Sequence, residues 1–286
     1  ITNVLLMVFS ILLKLIFVHF NFSMTAFIYL IGIDFVLMGT LSYVVYLNHT
    51  KTKIFLPVRK ATVAKLVRKG FPLALSSVTA VIYLKLDLIM LSYFGSEEEV
   101  GRYAVASRLS EVWYVFPTLV ASAIFPKILE LKKTNISSYN RGIDKVLYFL
   151  SFSAFSLSLL VYFLADVVIL YLFGTEYEQS ADILRIHIWA SVFIFMRAVA
   201  SKWFIAEDLY YLSLVTHAAG AISNIVLNLL LIPKYGGVGA AIATLISYAF
   251  ASYFSLFFSK RGRVLAFKMT KALFWPTYLF NFKTKV

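Results

Sequence analysis

The stretch LKLDLIML, residues 84–91, sets Lys85 and Asp87 two positions apart inside the otherwise almost wholly apolar run 71–94. A charge at the middle of a bilayer costs about 2.5–3.5 kcal/mol on insertion scales, so each such side chain needs a partner or a wet cavity. Lys14, Asp34, Arg108, Glu111, Asp166, Arg185, His187, Arg197, Lys202 and His217 also fall within or at the edges of long apolar runs. Cations so placed have the chemistry to hold a phosphate, and a guanidinium donates two parallel hydrogen bonds to a diphosphate. Arg197, with no acid at its depth on the neighbouring runs, is the first candidate for that ligand. Histidine titrates near neutral pH, so His217 reads either as a proton carrier or as a neutral side chain packed between helices.

Mutual neutralisation is the competing account of the other charges. In an antiparallel helical hairpin, residues at equal depth have numbers with a constant sum, and by that rule Asp87 faces Arg108 while Lys85 faces Glu111. Rotation sets these pairs in competition, because Lys85 and Asp87 are about 200° apart on a helix and Arg108 and Glu111 about 60°. The expectation is that Asp87 anchors Arg108 and Lys85 faces a lumen. Lys14 and Asp34 match in depth across the first hairpin, and Asp166 matches His187 less closely. Lys202, about one turn from a helix end, reads as a snorkelling side chain. Pro117, in the middle of its run, removes a backbone donor and predicts a kink that serves gating or packing. No nucleophile stands with a base, no residues have metal-ligand spacing and no GxxxxGK[ST] loop occurs, so no enzyme activity, metal or cofactor is expected.

Long apolar helices must position these groups. Of 286 residues, 61% are hydrophobic and 14% charged, against about one-quarter charged in soluble domains. A span needs about 20 apolar residues; the windows 3–20, 25–47, 71–94, 102–125, 146–173, 183–206, 209–232 and 238–258 qualify. The expected fold is therefore an all-α polytopic membrane protein of eight transmembrane helices. It divides into two helices at 1–47, a basic linker at 48–70, six helices at 71–258 and a basic amphipathic tail at 259–286. The net charge of +13 lies in the gaps between apolar runs, which argues against a nucleic-acid partner. Lys and Arg crowd 48–70, 127–145 and the tail, whereas GSEEEVG (95–101) and GTEYEQSAD (174–182) are short and acidic. By the positive-inside rule both ends of this chain face the cytoplasm. The tail, with Phe267, Phe274, Trp275 and Phe280 among its cations, reads as a segment in contact with membrane lipid.

ITNVLL at 1–6 and ISNIVL at 222–227 each open a two-helix unit, which predicts a six-helix repeat with four further helices ahead of residue 1. In the second unit Pro233, Tyr235, Gly236 and Gly237 make a tight turn, followed by a small-residue face at Gly239, Ala240, Ala241 and Ala243. This unit, LDLIMLSYFGSEEEVGRYAVASRLSEVWYVFPTLVASAIFP (86–126) and the tail FKMTKALFWPTYLF together resemble the bacterial polysaccharide and O-antigen flippases of the multidrug, oligosaccharidyl-lipid and polysaccharide exporter superfamily. The resemblance implies a twelve-helix protein of two six-helix lobes. This chain would hold the last two helices of the first lobe and all of the second. It further implies movement of an undecaprenyl-pyrophosphate-linked oligosaccharide from the cytoplasmic to the periplasmic leaflet of the inner membrane. Alternating access through a cationic lumen would carry the unit, alongside other polysaccharide assembly proteins. Charged residues of the 71–94 and 102–125 helices would line that lumen. Two other functions stay open: a drug or organic-cation antiporter of the same superfamily, whose cavity should be rich in unpaired acids, and a membrane sugar ligase or polymerase, which needs a larger outward loop. The coding DNA just upstream of Ile1 is expected to encode four further spans in frame, and sequencing it checks the repeat.

Overall fold

The computed structural model describes residues 2–50 and 60–274; Lys51, Lys53, Arg59, Trp275 and Phe280 lie outside the described residues. The chain divides into two units, Ile1–Val63 and Ala64–Val286. Among the described residues the regular structure is all helical. Six stretches are long and apolar enough to cross a membrane by length and composition: Thr25–Asn48, Lys60–Phe94, Glu97–Thr134, Ile136–Phe173, Ser180–Ala206 and Tyr210–Phe258. The protein is an all-α polytopic membrane protein.

In the first unit, α1 (Thr2–His19) and α2 (Met24–Thr50) form a hairpin. The turn passes through Asn21 at φ 53°, a left-handed conformation that asparagine tolerates well. Phe17 stacks on Phe22 with ring centroids 4.6 Å apart and meets Phe27 edge-on, which fixes the angle of return.

The second unit begins within α3 (Lys60–Phe94). Residues 60–70, read from sequence as linker, form the first turns of this helix, because ATVAKLVRK is made largely of good helix formers. Ser96 caps α4 (Glu97–Glu111) by accepting from the Glu99 amide, and three glutamates in the first turn complement the helix dipole. A single 3₁₀ turn at Val112–Tyr114 then separates α4 from α5 (Val115–Thr134). The break lies ahead of Pro117 because a proline ring clashes with the carbonyl four residues earlier, here that of Trp113. Asn135 caps α6 (Ile136–Phe173), accepting from the Ser138 amide. The run 183–206 is divided between α7 (Ser180–His187) and α8 (Ala190–Ala206); Ser158 donates to the Ile188 carbonyl at the break.

α9 (Tyr210–Ser252) contains the seventh and eighth apolar windows. At Gly236 the backbone leaves the helical region (φ 52°, ψ −132°) and the chain folds back on itself. Gly220 lies against Ala251 and Ser247, and Gly239 against the Leu231 carbonyl, so the arms 210–235 and 237–252 run antiparallel in close contact. The small face at Gly239, Ala240, Ala241 and Ala243 is fully buried here. Finally α10 (Gly262–Leu273) packs Leu265, Ala266, Met269 and Ala272 into a core with Leu147, Leu150, Phe195, Met196 and Phe204.

The close approach of the two arms leaves no room for a side chain at Gly220. Gly220→Val is expected to destabilise the second unit by about 1–3 kcal/mol through overpacking. Gly70→Ala, where an added Cβ meets nothing within 4 Å, should leave stability unchanged or higher. Thermal unfolding of the purified protein in detergent compares the two.

Candidate functional site

Lys85 and Asp87 point to opposite sides of α3. Asp87 is 3% exposed, a carboxylate enclosed by α4 and by both arms of α9. Its Oδ1 accepts from Asn224 Nδ2 at 2.9 Å and Asn228 Nδ2 at 2.6 Å. Its Oδ2 accepts from the Tyr103 hydroxyl at 3.0 Å and from the Thr244 hydroxyl. All four donors are neutral and buried. Asn228 and Thr244 each lie eight residues from Gly236, so the reversal of α9 places them level with one another. Asn224, one turn from Asn228 on the same face, receives a further hydrogen bond from it at 3.1 Å.

This arrangement corrects the expected anchoring of Asp87 by Arg108. The hairpin turns at Gly95 and Ser96, between α3 and α4. The side chain level with Asp87 is therefore Tyr103, and Arg108 is rotated from it by about 140° on α4. Arg108 is exposed and makes no ion pair among the described residues. Lys85, 55% exposed, pairs with Glu111 at 3.1 Å, so of the two competing pairs this is the one that forms.

Asn224 and Asn228 fall outside a reading confined to ionisable groups. Their signal was present in SNIVLNLLL, where two amides recur at helical spacing inside an apolar run. Two further buried polar atoms border the cluster without a hydrogen-bond partner: Asn228 Oδ1 and His187 Nδ1. The His187 ring stands edge-on to Tyr103 at 5.9 Å. The site thus offers a carboxylate, amide and hydroxyl oxygens and no cation. Such a set suits a proton or a small monovalent cation, which prefers hard oxygen ligands. Among the described residues no group of three or more His, Cys, Asp or Glu has the arrangement of a metal site.

Arg197 also departs from expectation. It is 6% exposed rather than directed into a lumen. Nη1 donates to Thr216 Oγ1 at 2.7 Å and to the Ala251 carbonyl at 3.1 Å; Nη2 donates to the Ser213 carbonyl and hydroxyl at 3.3 Å. The guanidinium lies 5.2 Å from the Phe204 ring centroid. Carbonyl and hydroxyl oxygens satisfy a buried arginine as well as an acid does. His217 is buried beside Thr216 on the first arm of α9. Lys202 lies over the Phe125 ring, 5.5 Å from its centroid. Pro117 is buried in the first turn of α5.

Two pairs remain. In the first unit Lys14 meets Asp34 at 2.9 Å, and Ser10 bonds both, donating to Asp34 at 2.6 Å. Asp166 pairs with Arg185, which also holds Asp182 at 2.7 Å, and not with His187 as depth had suggested. The histidine faces inward towards Tyr103, leaving Arg185 on the acidic side of the turn.

A family model described as polysaccharide biosynthesis protein matches residues 1–182, more than half of the chain. The chain belongs to the polysaccharide biosynthesis protein family. Relatives of this family member include an uncharacterised membrane protein of Methanocaldococcus jannaschii, 26% identical over 80% of this chain and 47% of its own length. The probable low-salt glycan biosynthesis flippase Agl15 of Haloferax volcanii is 27% identical over 74% of this chain and 46% of its own. The probable flippase AglR of Haloferax volcanii is 30% identical over 62% and 38%. The chain spans about half the length of the first two curated relatives it matches. Among solved structures, the inward closed conformation of the lipid II flippase MurJ superposes with a TM-score of 0.59 at 19% identity. It covers 90% of this chain and 55% of that one, and the likeness is one of fold.

The two lysine–acid and amide–acid networks of α3 should differ sharply in energy. Asn228→Leu leaves a buried carboxylate oxygen short of a donor and is expected to cost about 1–3 kcal/mol or more. Lys85→Gln removes an exposed ion pair and should cost under about 1 kcal/mol. Equal shifts in unfolding midpoint for the two variants would contradict the ranking.

Proposed function

We propose that the protein carries lipid-linked glycan across a membrane, and that the Asp87 cluster is where a coupling ion, a proton or a sodium ion, is taken up. The observation that carries the ion-coupling reading is a buried carboxylate in a membrane helix whose hydrogen-bond partners are all neutral: Tyr103, Asn224, Asn228 and Thr244. Leaving such a group charged and without a cation is costly in a medium of low dielectric constant. Binding a proton or a bare cation relieves that cost, and its release restores it, so occupancy has a direct effect on how α3, α4 and α9 pack. The names of the Haloferax volcanii relatives and family membership support glycan translocation as the cargo side of this reading.

The cargo we favour is an undecaprenyl-pyrophosphate-linked oligosaccharide such as an O-antigen unit. It would move by alternating access from the cytoplasmic to the periplasmic leaflet of a bacterial inner membrane, with eight crossings in this chain and both its ends cytoplasmic. Lys85 and Arg108, exposed cations of the second unit's spans, are the side chains we assign to the diphosphate, with Glu111 holding Lys85 between substrate visits. An interior-negative potential favours outward passage of an anion by about 2.3 kcal/mol per charge per 100 mV. The same field favours inward passage of the coupling cation. An organic-cation antiporter would need its acid open to a bulky ligand, and Asp87 is enclosed.

Reconstitution of the full protein in vesicles with a labelled lipid-linked oligosaccharide tests both parts. Wild-type translocation should rise with a sodium or proton gradient. Asp87→Asn should fold, lose roughly tenfold or more in gradient-driven rate, and respond to neither ion. A wild-type protein that translocates with no dependence on either gradient overturns the coupling role of Asp87. A protein that moves no glycan under any gradient overturns the translocation reading. Lys85→Ala should lower the rate while membrane protein level is held.

A further inference from the structure

The amino-terminal turns of α6 and the helix α10 enclose a cleft of about 490 Å³, lined by Arg141, Asp144, Lys145, Tyr148, Val264, Phe267, Lys268 and Lys271. Its charge is unbalanced. Lys268 donates to Asp144 at 2.8 Å, which occupies the single acid and ties α10 to α6. Arg141, Lys145 and Lys271 are exposed, and among the described residues none is paired with an acid. Arg141 donates to the Ser138 hydroxyl at 3.2 Å. Spacing on the helices explains the convergence: Arg141, Lys145 and Tyr148 share one face of α6, and Val264, Phe267, Lys268 and Lys271 one face of α10.

The other wall of the cleft is apolar. Phe267 and Val264 are 57% and 53% exposed, although their neighbours Leu265, Ala266 and Met269 are fully buried against α6. α10 therefore docks by one face and presents a second apolar strip beside three free cations. Depth along α6 places this combination at a boundary. Arg141 and Lys145 precede the apolar run 146–173, and Tyr148 lies just inside it. A cationic end at headgroup level with an apolar end beyond it matches one class of ligand, a lipid with an anionic phosphate head and acyl chains. The volume falls within the range of small-ligand sites.

We propose that this cleft binds the phosphate headgroup of an anionic membrane lipid, with Arg141, Lys145 and Lys271 on the phosphate and Tyr148, Val264 and Phe267 along the first segments of the chains. Such a lipid would brace α10 against α6 at the membrane surface. The proposal rests on the membrane fold and is independent of which substrate the protein moves.

Native mass spectrometry of the full protein, released from micelles doped with phosphatidylglycerol or with phosphatidylcholine, tests it. Wild type should retain phosphatidylglycerol and shed phosphatidylcholine. Joint replacement of Arg141, Lys145 and Lys271 by glutamine should reduce the retained lipid by about an order of magnitude or more. The same three-charge loss at Lys127, Lys133 and Lys260, outside the cleft, should leave it unchanged. Because the three cleft cations are exposed, their neutralisation is expected to spare folding, which thermal unfolding in the same detergent verifies. Phe267→Ser supplies a second probe and should lower lipid retention while competition by inorganic phosphate stays weak. Equal loss at the control positions, equal retention of both lipids, or displacement of the lipid by inorganic phosphate at low concentration would each overturn the proposal.

Discussion

Asp87 must be kept company where almost none of its surface is exposed, and the second unit is arranged around that requirement. A buried carboxylate with a lysine or arginine beside it would be neutralised and inert, whereas four neutral donors hold it in place and bring no compensating charge. Those donors come from α4 and from both arms of α9, so three separate stretches of chain converge on two oxygen atoms. Convergence so close demands small residues between the helices, and glycine and alanine line the contact. The reversal at Gly236 follows from the same need, since Asn228 and Thr244 reach one carboxylate only when the two arms are level.

Arg197 is held by the complementary solution. A cation is satisfied by hydroxyl and carbonyl oxygens of both arms of α9, as the anion is satisfied by amide and hydroxyl hydrogens. Among the described residues the interior therefore holds a buried acid on α3 and a buried arginine on α8 against different parts of the α9 hairpin, each solvated by the protein and neither paired with the other. Ion pairs proper, Lys85 with Glu111 and Lys14 with Asp34, involve more exposed side chains and are correspondingly weaker and more easily exchanged for a ligand.

Much of this was legible in the residues themselves. Continuous apolar runs marked the helices, because backbone groups in lipid have no alternative to helical pairing in a chain of this kind. The glycines at 236 and 237 marked the turn, and depth across the first hairpin matched Lys14 to Asp34. Partner choice for Asp87, Arg197 and Asp166 was not legible to a reading that sought opposite charges alone. Amides, hydroxyls and carbonyls solvate buried charge as effectively, and rotation about a helix decides between candidates at similar depth. The turn at Gly95 and Ser96 lay a few residues from where an Asp87–Arg108 pair required it, which was enough to exchange arginine for tyrosine.

The span of chain between Asp87 and its amide donors has a consequence in time. Asn224 lies 137 residues further along, and at about 5–20 residues per second the ribosome needs roughly 7 to 27 seconds to reach it. Tyr103 follows Asp87 by only 16 residues and is the first donor to arrive. A nascent α3 that enters the membrane as it is made thus holds a half-solvated carboxylate until α9 is synthesised and folded back. Assembly of the unit is gated by its last hairpin, and any earlier product of translation is a membrane protein with an acid still waiting for its partners.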